Sequence, residues 1–299
     1  MTVDMDSPTN MQSQKAVDTN RTSSIQQMNS ESLPDIVTNS MLLQRERLGD
    51  QQLSQVWRYN ATTVIKRVDP SSAARAEAAA MILAHQKAPS VPVPRILKTI
   101  IPEPDDENTG YGIIFMQYIE GTTLEEFWPT SSDEDKARIL GQLRGYMNQL
   151  RGIEGNFIGS VDGSVCNDQL FANREHSYGP YKDEVDFRAG IAESLRSCEA
   201  NAFTEVVVGM VNAMPKSGRS VFTHGDLVPR NILVKDGNVV GFVDWEMAGF
   251  YPEYWEYAKA HFFVDYDHPW HEERAVEEVL KPYPLELAAL LHTRGIFMY

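Results

Sequence analysis

The run Val221-Phe-Thr-His-Gly-Asp-Leu-Val-Pro-Arg-Asn-Ile-Leu-Val constrains this chain more than any other segment. It sets Asp226 five residues before Asn231 and two after His224. Ile232-Leu-Val reads as a short strand, Lys235-Asp-Gly-Asn as a turn, and Val239-Val-Gly-Phe-Val as a return strand. Such a hairpin brings its last residue back to its first, so Asp244 is expected beside Asn231. An Asn amide oxygen and an Asp carboxylate are hard donors of the kind Mg²⁺ prefers. Asp226, one loop earlier, remains as a separate carboxylate that can accept a proton. His224 is expected to brace the loop by hydrogen bonding. The loop alone could be a turn whose Asx side chains cap backbone groups. Asp244 at the end of an apolar strand makes the joint pattern specific.

Upstream of that loop the pattern changes in stages. Residues Leu53 to Val68 are rich in β-branched and aromatic side chains, with Asn60 between two runs, which predicts a hairpin. Pro70-Ser-Ser breaks it, and Ala73 to Gln86 predicts a helix capped by Ser72. The prolines of Val91-Pro-Val-Pro-Arg-Ile hold that stretch extended. Strands are expected from Ile96 to Pro102 and from Tyr111 to Ile119. Beyond Gly121 helical patterns dominate, at Leu124 to Trp128, Asp133 to Arg151, Glu184 to Glu199 and Ala202 to Met214. Strands plus one helix, then mostly helices, predict an α+β fold of two lobes. The N-lobe (36–120) is expected to hold an antiparallel sheet plus one helix, and the larger C-lobe (121–299) to be mostly helical. Residues 1–35 are rich in Ser, Thr, Asn, Gln and Asp and read as a disordered tail.

Composition narrows the partners. The formal net charge is −15 over 299 residues, which argues against nucleic acid, because phosphate binding needs a basic face. No apolar run approaches the ~18 residues that span a bilayer, and the first residues lack a secretory pattern. Two cysteines, Cys166 and Cys198, have no metal-type spacing and suit a reducing, cytoplasmic setting. The acidity could draw in a cationic substrate or only keep the protein soluble.

Phosphoryl transfer matches the residue types of the loop. It needs little covalent help, but it needs Mg²⁺ to bridge phosphate oxygens and a group that orients the acceptor and takes its proton. His-Gly-Asp-Leu-x-x-x-Asn-Ile-Leu-Val followed by Val-Asp-Trp-Glu resembles the aminoglycoside phosphotransferase and choline-kinase-like superfamily, which shares the protein-kinase architecture. Val91-Pro-Val-Pro-Arg-Ile, Gly159-Ser-Val-Asp-Gly with Gly179-Pro-Tyr, and Tyr251-Pro-Glu-Tyr-Trp-Glu-Tyr-Ala-Lys-Ala look like fungal members of it. The resemblance spans roughly residues 45 to 275. It implies a bilobal protein-kinase-like fold with the nucleotide between the lobes. It also implies transfer of the γ-phosphoryl of ATP (or GTP), with Mg²⁺, to a hydroxyl of a small molecule.

Carried over by position, Asp226 is the catalytic base, and Asn231 and Asp244 are the metal ligands. Lys66, in Val-Ile-Lys, matches the strand lysine that holds the α- and β-phosphates, and Glu77 its ion-pair partner. Met116, Gln117, Tyr118 and Ile119 match the hinge that holds the adenine edge. The phosphate-covering loop departs from the pattern: Leu48-Gly-Asp-Gln-Gln-Leu-Ser has one glycine. Backbone amides and Ser54 could still touch phosphate, or the segment could be an ordinary turn. Acidic and aromatic residues cluster late, at Trp245, Glu246, Tyr254, Trp255, Glu256 and Asp265 to Glu273. They suit a cationic acceptor, with Trp245, Glu246 and Trp255 as substrate-binding candidates, or they are solvated surface. Three rivals are a pseudokinase, a protein kinase and a nucleotide hydrolase. The full set of Lys66, Asp226, Asn231 and Asp244 speaks against the first. Gly225, Trp245 and the lack of an Ala-Pro-Glu element soon after Asp244 speak against the second. Whether turnover needs an acceptor separates the third.

Overall fold

The computed structural model describes residues 32–50, 54–102, 110–171, 178–262 and 267–297. Contacts divide the chain between Asp35 and Ile36. The expected tail lies almost wholly outside the described residues.

The N-lobe begins with a one-turn helix, α1 (Asn39–Leu43), capped by Thr38. Its sheet contains β1 (Arg47–Asp50), β2 (Ser54–Arg58), β3 (Thr63–Val68), β4 (Ile96–Ile100) and β5 (Gly112–Gln117), in the order β1-β2-β3-β5-β4. All neighbours are antiparallel. The predicted hairpin is β2–β3, with Trp57 opposite Ile65. One long helix, α2 (Ser71–Lys87), packs on this sheet through Ala74, Ala78, Met81 and Ala84. Gly112 permits the close approach, since a Cβ there would lie 2.3 Å from the Ala74 Cβ. The helix starts two residues before the predicted Ala73, and Ser72 does not cap it. Pro70 holds extended backbone at the N-cap, with φ −77° and ψ 169°, so helical geometry begins at Ser71, inside the helix without a side-chain cap.

The C-lobe opens with β6 (Thr122–Thr123), α3 (Leu124–Phe127) and α4 (Asp133–Arg151). Ile139, Leu143, Met147 and Leu150 of α4 are fully buried. Their spacing of three and four residues aligns them on one stripe, and each buried side chain stabilises by roughly 1.5–3 kcal/mol. Short strands β7 (Glu154–Gly155) and β8 (Gly159–Ser160) precede α5 (Glu184–Cys198) and α6 (Ala202–Ala213). Then come β9 (Ser220–Thr223), β10 (Ile232–Lys235), β11 (Asn238–Phe242) and β12 (Gly249–Pro252). The chain closes with α7 (Trp255–Ala260), α8 (Pro269–Glu272), α9 (Ala275–Val279) and α10 (Pro284–Phe297). The fold is the expected bilobal α+β arrangement. No helix of the described residues is long and apolar enough to cross a membrane.

The hairpin inferred after the Asp226 loop is β10–β11, paired from Ile232–Phe242 to Lys235–Asn238. It is tied to the N-lobe side by the Lys235 ammonium, 2.8 Å from the Glu120 carboxylate, and by two backbone contacts. The strand β6, which leaves the inter-lobe segment, pairs with β10 through Thr123 and Leu233. Separately, the Phe242 amide donates to the Pro92 carbonyl at 2.8 Å, in the extended stretch between α2 and β4.

Candidate active site

Strand β3 and helix α2 bring Lys66 and Glu77 together beneath the sheet, with 2% and 1% of their surfaces exposed. The Lys66 Nζ donates to Glu77 Oε1 at 2.8 Å and to Asp244 Oδ1 at 2.7 Å, with Glu246 Oε2 at 3.8 Å. Burial alone would lower the lysine pKa, but the carboxylates of Asp244, Glu77 and Glu246 outweigh it and hold the ammonium above its ordinary value. The cost appears on the acids. Burial pushes Glu77 up despite Lys66. Burial and then the Asp244 charge push Glu246 to about 7.

The loop after β9 carries Asp226. Gly225 adopts φ +82°, and a Cβ on it would meet the Met247 carbonyl oxygen at 2.7 Å. Gly225→Ala is therefore expected to displace the loop, costing at least the ~1–2 kcal/mol of a left-handed non-glycine residue. A lowered Tm together with lost activity would register it. The loop is held from below by a residue that sequence reasoning did not single out for this purpose. Glu256 of α7 is fully buried, and its two oxygens accept from the backbone N–H groups of His224 (2.7 Å) and Gly225 (3.1 Å). His224 braces the loop from above. Its Nδ1 accepts from the Asp226 N–H at 3.3 Å, which leaves Nε2–H to donate to the Val243 carbonyl at 3.1 Å.

Asn231 donates through Nδ2 to Asp226 Oδ2 at 2.7 Å and to the Asp226 carbonyl at 3.0 Å. Its carbonyl in turn accepts from the Val243 N–H at 2.9 Å, which seats Asp244 beside it. Asp244 has φ 65°, a conformation Asp tolerates better than most residues.

These groups meet at a cleft of about 350 Å³. Leu48, Val56 and Val64 line it from the N-lobe, Leu233 and Val243 from the C-lobe, and Met116 to Ile119 along its back. Lys66, Asn231 and Asp244 line the same slot as these apolar side chains. The Tyr118 N–H is committed to the Thr62 carbonyl at 2.8 Å and the Gln117 N–H to Arg95 at 2.9 Å. Ser54 pairs with Val68 through its backbone. Residues 51–53 of the questioned phosphate loop lie outside the described residues, as does Asp265 in the late acidic cluster.

The donor chemistry fits a magnesium ion. Asn231 commits its nitrogen to Asp226, which turns its amide oxygen to the cleft side, and Asp244 lines the same cleft. Among the described residues no three His, Cys, Asp or Glu side chains could hold a metal by themselves. Phosphate oxygens and water must then complete the shell, as Mg²⁺ ordinarily requires.

A profile of the phosphotransferase enzyme family matches residues 45–284. The chain belongs to the phosphotransferase enzyme family. Solved structures share its fold. A thermostable mutant of aminoglycoside phosphotransferase APH(4)-Ia, apo form, aligns with a TM-score of 0.57 at 15% identity, covering 87% of this chain and 89% of that one. The streptomycin–ATP–APH(2'')-IIa ternary complex aligns with a TM-score of 0.52 at 15% identity, covering 84% and 80%. No curated protein matches the chain.

Within this phosphotransferase the late cluster is mostly core. Trp245 and Trp255 are fully buried. Trp245 stacks on Phe222, and its indole N–H donates to the Phe242 carbonyl at 2.9 Å. Trp255 stacks on Tyr251 and donates to Asp168. Neither presents a face to a substrate in this conformation. Tyr254 and Trp270 are buried too, and Trp270, in α8, lies edge-on to Trp128, so neither alternative of a cation site or a solvated surface holds for them. Of the three substrate-binding candidates, Glu246 alone lies near the cleft lining, its carboxylate 3.8 Å from the Lys66 ammonium.

Proposed function

We propose that this phosphotransferase moves the γ-phosphoryl group of ATP or GTP, with Mg²⁺, to a hydroxyl of a small molecule. One observation carries the reading: Lys66, Asn231 and Asp244 line one slot with apolar side chains, and Asp226 is bonded to Asn231. The slot takes the base between Val64 and Leu233, with the Met116–Ile119 segment along its edge. Lys66 holds phosphate oxygens, and Glu77 keeps it charged and oriented. Bound Mg²⁺, held by Asn231 and Asp244, would bridge phosphate oxygens and neutralise developing charge. Asp226 orients the acceptor hydroxyl and takes its proton. The net charge of −15 supports a cationic acceptor; the buried Trp245 and Trp255 add nothing to it.

The test is a nucleotide-consumption assay over a panel of amino alcohols, aminoglycosides, sugars and their uncharged analogues, at low and high salt. Product mass should rise by one phosphoryl group, and cationic acceptors should lose rate as salt screens the field. Consumption of nucleotide with no acceptor dependence would point to a hydrolase instead.

Magnesium and nucleotide are expected to stabilise the protein together more than either alone, because the metal shell is incomplete without phosphate. At a ligand concentration 100 times Kd the gain is about 2.7 kcal/mol. Thermal melting with ATP, Mg²⁺ and both reads it directly, and equal shifts in all three would contradict the shared site.

A further inference from the structure

Arg230 carries no role in the reading above. Its guanidinium donates to both oxygens of Asp226, at 3.0 and 3.3 Å. The pair is lopsided: the Arg230 side chain is 41% exposed and that of Asp226 9%. Arg230 also lines the cleft, and with Lys66 it makes up the cations among the described residues there. Lys66 is fixed, buried among Glu77, Asp244 and Glu246. Arg230, with 41% of its side chain exposed, is the more accessible cation of the two. Phosphoryl transfer spreads negative charge over three oxygens, more than Lys66 and a metal on one side need meet alone.

We propose that Arg230 is a catalytic residue that holds Asp226 in the resting protein and swings onto the γ-phosphoryl oxygens during transfer. The proposal rests on the phosphotransferase reading. In a reactive geometry the acceptor oxygen sits about 3 Å from both the base and the phosphorus. A cation bonded to Asp226 is thus one side-chain rotation away from the phosphoryl oxygens. Asp226 already accepts from Arg230 twice and from Asn231 Nδ2 once, of about four sites a carboxylate offers. An incoming hydroxyl competes most easily with the 3.3 Å bond from the exposed arm. The acceptor oxygen then forms its bond to the γ-phosphorus, and the bond from that phosphorus to the bridging oxygen breaks. The hydroxyl proton passes to Asp226, and the nucleoside diphosphate leaves with the electron pair. The planar guanidinium can give two parallel N–H bonds to the moving group, which an ammonium cannot.

Mg-ADP with aluminium fluoride mimics the planar phosphoryl group and needs no acceptor, so it tests the contact while the substrate is unidentified. The parent protein should bind Mg-ADP–aluminium fluoride at least about 10²-fold tighter than Mg-ADP. Arg230→Gln should keep its Mg-ADP affinity, which also reports that it is folded, and lose most of that gain. Arg230→Lys should recover part of it. An undiminished gain in Arg230→Gln overturns the proposal and leaves the phosphotransferase reading standing. A parent protein that binds no Mg-ADP overturns that reading, and this proposal with it.

Discussion

Asp226→Asn is expected to lower turnover by about 10²- to 10⁴-fold while Mg-nucleotide binds as before. The asparagine oxygen can still accept from Asn231 Nδ2, so the loop keeps its bracing, but the group that takes the acceptor proton is gone. Asp244→Ala should act in the opposite way and abolish Mg²⁺-dependent nucleotide binding. It also removes the 2.7 Å partner of Lys66 and leaves that buried ammonium to Glu77 and Glu246. Calorimetric titration of Mg-ATP into each variant, beside a turnover assay, separates the two. Similar losses of binding in both would mean that Asp226 serves the nucleotide and not the acceptor.

Glu256→Ala is expected to cost the most stability of any single change near the site. It strands two buried backbone donors, those of His224 and Gly225. Each stranded donor costs about 1–3 kcal/mol, a large share of the ~5–15 kcal/mol that holds a typical protein folded. Glu256→Gln keeps the volume but offers one acceptor where two donors need two, so it should fall between. Denaturant unfolding would order the three proteins. A Gln variant as stable as the parent would show that one oxygen suffices, and an Ala variant as stable as the parent would show that the clamp is ornamental. The loss of activity in Glu256→Ala should follow from a displaced Asp226, even though Glu256 touches no substrate.

The contrast between those two residues shows what a sequence carries. Asp226 and Asn231 lie five residues apart, so a local spacing sufficed to pair them, and the β10–β11 hairpin that seats Asp244 was legible from β-branched runs around Asp-Gly. Lys66 and Glu77 needed the resemblance, because a strand lysine and a helix glutamate are common until a fold brings them within 2.8 Å. Glu256 sits about thirty residues past the loop it supports, inside a run of acids and aromatics that looks like solvated surface. Burial decides its role, and burial is a property of the packed lobe. Trp245 and Trp255 pose the same ambiguity: an aromatic next to a carboxylate suits a cation site or a core, and only the packing on Phe222 and Tyr251 tells them apart. Ser72 shows a smaller case, in which an adjacent proline sets the helix start ahead of the better capping residue.

The two backbone ties of the β10–β11 hairpin, with the Lys235–Glu120 ion pair beside them, limit how the lobes can move. Two attachment points define a line, and rigid bodies joined along a line have one easy freedom, rotation about it. The Thr123–Leu233 pairing and the Phe242–Pro92 hydrogen bond fix that axis along the back of the slot. Widening of the slot should then resemble a clamshell, greatest at the Leu48 edge and least at Met116. A nucleotide bound as proposed would enter and leave from that outer edge. Single-molecule distance measurements between labels on the two lobes should vary most for pairs at the Leu48 side and little for pairs flanking Pro92.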